Sequence, residues 1–62
     1  YVSDAQAHNN RGLAKLQLGD IEGARTDFER ALAIEPSLTE ADENLKRLLS
    51  RAAEPRNPAQ SP

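Results

Sequence analysis

Apolar side chains recur along most of this chain at three- and four-residue intervals, the spacing that lines one face of an α-helix. Ile21, Ala24, Phe28, Ala31 and Leu32 form such a stripe, with Arg25, Glu29 and Arg30 mainly on the other side. Leu38, Ala41, Leu45, Leu48, Leu49 and Ala52 repeat the same offsets further on. The segment before them differs. Ala7, Ala14 and Leu18, with the stem of Arg11, make one apolar face, and Ala5, Gly12 and Leu16 make another roughly opposite. A helix apolar on opposite sides is expected to pack between two neighbours.

Local signals set the boundaries. Ser3 followed three residues later by Gln6 is a capping-box pattern, so a first helix is expected from about Asp4 to Leu18. Gly19 stops it, because glycine takes the left-handed conformation at a helix end without steric cost. Asp20 suits the N-cap of a second helix over about Ile21 to Ile34, which Pro36 ends near Glu35. So short a turn folds the two helices back on each other. Ser37 and Glu40 form a second capping box, opening a third helix to about Arg51. The fold class expected is all-α, with no strand before Ala53. Residues 53–62 carry Pro55, Pro58 and Pro62 and almost no hydrophobe, and are expected to form a disordered tail.

Residues Ala5 to Leu38 resemble one tetratricopeptide repeat, a helix-turn-helix unit of about 34 residues. The resemblance is carried by Gly12, Ala14, Gly19-Asp20-Ile21, Ala24, Phe28, Ala31-Leu32, Ile34 and Pro36 in register. It implies one repeat of an α-solenoid, with Gly12 and Ala24 letting two helix axes approach and Phe28 filling the space beside them. The third helix stands where another repeat would begin. It places Lys46 at a position that should be small, and so resembles the solvating helix that closes such arrays. The domain expected is therefore 1–52, a repeat over about 5–38 plus a capping helix over about 38–51. The sequence departs from the family at three positions of the first helix. His8 and Lys15 replace large aromatics and Arg11 replaces an aliphatic.

Gln6, Asn10, Leu13 and Gln17 form a strip between the two apolar faces of the first helix. The resemblance implies that this strip lines a groove receiving peptide segments of partner proteins. Amide side chains can pair with an extended backbone, and Leu13 offers an apolar contact. Asn10 also matches one position of the family's carboxylate clamp for a chaperone tail, while the Lys, Asn and Arg that complete a clamp belong to other repeats. The function expected is protein–protein interaction within a larger repeat array. The alternative is structural, self-association or array capping through exposed apolar helix faces.

Composition changes this picture little. Of 62 residues, eight are Lys or Arg and ten Asp or Glu, giving a net charge of −2 with no clustered basic footprint. Nucleic acid is not an expected partner. No apolar run approaches the ~20 residues of a membrane span. With no cysteine, His8 as the only histidine and two aromatics, Tyr1 and Phe28, no metal, disulfide or cofactor site is expected. Alanine, leucine and isoleucine must build the core, which is thin for an independent monomer. A chain opening on Tyr1 is read as a piece of a longer protein.

No catalytic constellation is present. His8 has no nucleophile and orienting acid to work with, though Asp4, one turn earlier, could pair with it. Asn9-Asn10-Arg11-Gly12 lies mid-helix and lacks the phosphate-loop pattern. Glu40, Asp42 and Glu43 complement the start of the third helix dipole, and Lys46, Arg47 and Arg51 its end. The chain is not expected to be an enzyme.

Overall fold

The computed structural model describes residues 2–53, with the side chains of 52 and 53 left aside. Three helices follow one another, α1 (Asp4–Gln17), α2 (Ile21–Ile34) and α3 (Thr39–Ala53). The described residues contain no strand. The expected tail lies outside them except for Ala53, which still belongs to α3.

Each boundary has a local cause. The Ser3 hydroxyl accepts the Gln6 N–H at 3.1 Å, which is half of the expected capping box. The other half is missing, because the Gln6 side chain reaches elsewhere. At the far end of α1, Gly19 takes φ +85°. Its N–H donates to the Leu16 carbonyl at 3.1 Å and the Asp20 N–H donates to that of Lys15 at 2.9 Å. This pair of bonds is the Schellman arrangement, and it satisfies two carbonyls that the helix end leaves open. Asp20 then caps α2, accepting the Gly23 N–H at 3.0 Å.

The cap expected for α3 forms differently. That helix begins at Thr39, two residues after Ser37, and the Leu38 carbonyl accepts the Asp42 N–H at 3.2 Å. Glu40 does not fold back on Ser37. Its carboxylate is drawn across to α1, where two amide donors compete for it.

Alanine builds much of the interior. Ala5, Ala31 and Ala41 meet in one buried cluster, one from each helix, with Leu32 and Leu38 against it. Ala24, Phe28 and Leu48 form a second, supported by Leu13, Leu16 and Leu45. Small residues bring the axes close, and Phe28 supplies the volume they lack. The helix α3 rests chiefly on α2 and only lightly on α1. Two residues of the expected stripes are less covered than their spacing implies. Ile21 is 37% exposed beside the α1–α2 turn and Leu49 is 43% exposed on the outer side of α3.

The first helix is packed on one side only. Ala5, Asn9 and Gly12 are buried, whereas Ala7 and Ala14 are exposed and Leu18 is 85% exposed. In the single chain the second apolar face of α1 therefore stands open, contrary to the expectation of two neighbours.

Candidate functional site

Two polar assemblies lie on different sides of α1. The first occupies the seam with α3. Gln6 donates from Nε2 to Asn10 Oδ1 at 3.1 Å and to Glu40 Oε2 at 3.2 Å. Asn9, fully buried, donates from Nδ2 to the same Glu40 oxygen at 3.3 Å and accepts from Asn44 Nδ2 at 3.0 Å. A buried amide costs free energy unless its donors and acceptor are satisfied, and here both ends of Asn9 find partners on α3.

The strip predicted from the sequence borders this seam. Gln6 is half-buried and tied into the network, while Asn10 and Gln17 are exposed. Leu13 is half-buried, with one side against the Phe28 cluster. Gln6 and Asn10 are thus joined directly. Leu13 belongs partly to the core, and no hydrogen bond ties Gln17 to the others among the described residues.

The second assembly was not anticipated. Asp27 is only 1% exposed, and three side chains of α1 converge on it. Arg11 donates from Nε to Oδ2 at 3.0 Å and from Nη2 to Oδ1 at 2.7 Å, a bidentate fork. Lys15 Nζ lies 3.2 Å from Oδ2 and His8 Nδ1 3.9 Å from Oδ1. The Arg11 hydrogen bond lowers the Asp27 carboxyl from 3.8 to about 2, against burial, with Lys15 and the two cationic charges adding to it. The same bond raises Arg11 above its ordinary value, so both partners report a stabilised ion pair. His8 therefore faces Asp27 on α2 and not Asp4 on its own helix.

This cluster accounts for the three departures noted in α1. His8, Arg11 and Lys15 lie on the side of α1 that meets Asp27. Sequence reasoning missed the focus of the cluster, though a signal existed. Asp27 stands three residues after Ala24 and four before Ala31, both core positions, so it had to face inward.

Residues 5–38 match the family model for the tetratricopeptide repeat, more than half of the chain. The chain belongs to the tetratricopeptide repeat family. No curated protein and no solved structure matches it. Such repeats mediate protein–protein interaction and are a non-enzymatic scaffold. No helix among the described residues is long and apolar enough to cross a membrane.

Proposed function

We propose that this chain contributes one wall of a groove for a partner peptide, as part of a larger repeat array. Gln6, Asn10, Leu13 and Gln17 form the contact strip, and α3 acts as the helix that closes the array. The single observation supporting this reading is the amide ladder at the α1–α3 seam. Gln6, Asn10 and Glu40 hold a continuous row of donors and acceptors along the edge where the two helices run side by side. An extended backbone can exchange hydrogen bonds with such a row, while Leu13 receives an apolar side chain. No reacting group is required, because recognition by amides and a leucine is binding chemistry.

The test is a screen of extended peptides against the chain, followed by amide-resolved NMR titration of the best binder. Side-chain amide shifts at Gln6, Asn10 and Gln17, with weaker binding by both Asn10→Ala and Leu13→Ala, are expected. Unchanged affinity in both variants removes the strip.

One observation favours a second reading, capping or self-association without a ligand. Part of the strip is already engaged internally, since Gln6 and Asn9 both donate to Glu40. Sedimentation across a concentration series separates the two. A peptide-binding monomer supports the groove, and a peptide-indifferent dimer supports self-association.

A further inference from the structure

The face of the hairpin built around Asp27 carries more positive charge than its own carboxylate uses. Arg11 gives Nε and Nη2 to Asp27, leaving Nη1 on the far side of its fork, and its side chain remains 59% exposed. Lys15, 32% exposed, has one acceptor among the described residues and three protons to donate. Arg30, one turn beyond Asp27 on α2, is exposed as well. Asp4 is the acidic residue of the same α1 stripe, a turn before His8. Counting Asp4, Arg11, Lys15, Asp27 and Arg30, two acids stand against three bases, within a chain whose total charge is −2.

Apolar surface runs beside this charge. Leu18 lies three residues after Lys15 and seven after Arg11, on the same side of α1, with exposed Ala7 and Ala14 along its edge. A large aliphatic side chain at 85% exposure next to two cations is an amphipathic surface with a definite spacing. It is also distinct from the strip, because Arg11 points roughly 100–160° round α1 from each of Gln6, Asn10, Leu13 and Gln17. A partner touching one need not touch the other.

We propose that this open face of the α1–α2 hairpin docks an acidic amphipathic helix of a partner protein. The partner presents a carboxylate to Arg11 and Lys15 and, one turn along, an aliphatic side chain to Leu18 and Ala14. Charge complementarity decides the sign of the partner. A carboxylate replaces water on donors that Asp27 leaves over, while the adjoining leucine is removed from solvent. Nucleic acid fits less well, since Asp27 and Asp4 sit within the stripe and would face the phosphates.

The test uses the 62-residue chain and a capped synthetic helix carrying Glu and Leu three residues apart on an Ala/Gln background. NMR titration is expected to shift the amides of Ala7, Arg11, Ala14, Lys15 and Leu18. Leu18→Ser and Arg30→Glu leave the contacts of Asp27 intact, and each is expected to weaken binding about tenfold. High salt is expected to do the same, and a Lys-for-Glu peptide to bind no tighter than an Ala/Gln blank. Equal binding of the Glu and Lys peptides overturns the proposal, as does the absence of shifts at millimolar peptide. Shifts confined to the Gln6–Gln17 strip or to α3 overturn it and leave the groove reading standing. Tighter binding of a single-stranded RNA oligomer, or peptide-independent self-association through Leu18, assigns the face to another occupant and overturns it too.

Discussion

Gly12 of α1 lies directly beneath the ring of Phe28 on α2. A β-carbon at position 12 would stand 2.7 Å from Cε1 of that ring and 3.2 Å from the Ala24 carbonyl oxygen. The contact is therefore possible only for glycine, and it sets the distance between the two helices. Glycine in a helix costs about 1 kcal/mol relative to alanine, so Gly12→Ala would help an isolated helix. In this position overpacking outweighs that gain, at about 1–3 kcal/mol, because the fully buried ring has nowhere to move. Urea denaturation should show Gly12→Ala less stable than the parent chain. Phe28→Ala should cost more, about 3–5 kcal/mol, and abolish the cooperative transition of so small a domain.

Acid should weaken the fold through Asp27. Its carboxyl is held at about 2 in the folded chain against 3.8 ordinarily. A group with a depressed folded value contributes stability that is fully present above its unfolded value and disappears as pH falls through the folded one. That contribution amounts to about 2 kcal/mol at neutral pH and should be lost between roughly pH 4 and 2. Asp27→Asn should lower the urea midpoint at pH 7 and flatten the dependence on pH across that window. An unaltered slope in the variant would assign the acid sensitivity to other carboxylates.

The turn offers two changes of separable origin. Gly19→Ala forces a β-carbon into φ +85° with open space around it, so its penalty is purely conformational, about 1–2 kcal/mol. Asp20→Ala removes the acceptor of the Gly23 N–H, at about 0.5–2 kcal/mol. The two should destabilise by similar amounts in thermal melts. Asp20→Asn should recover most of the loss, because asparagine also caps, while no l-residue but asparagine should partly rescue position 19.

Asn9→Ala should destabilise by about 1–3 kcal/mol, since it leaves Asn44 and Glu40 without their shared partner. Hydrogen exchange should locate the damage. Faster exchange is expected along α3, with the α1–α2 hairpin much less affected, because α3 has few other ties to α1.

The helices and their hairpin were legible because each relied on signals within a few residues, such as Gly19 with Asp20 or the Phe28 stripe. The family resemblance rested on the same residues. Glu40 was misplaced for the opposite reason. Its pattern with Ser37 is local, but amides on α1, more than thirty residues away, compete for the carboxylate. Asn9 gave no signal at all, since an asparagine among polar neighbours resembles any solvated helix residue. His8, Arg11 and Lys15 were visible as departures, yet their meaning required Asp27 from another helix. Of the strip, the sequence gives residues that share a helix face. What such a face meets depends on partners that lie outside it.

The Asn9–Asn44 bond has a consequence for how α3 can lie on the hairpin. Alanine and leucine attract without direction, and a helix held by them alone could slide one turn, about 5.4 Å, and meet similar neighbours. A buried amide pair tolerates no such slip, because moving α3 by a turn would strand Asn9 in apolar surroundings. It therefore acts as a detent, selecting a single axial alignment among several that greasy contacts alone would leave nearly equal in energy.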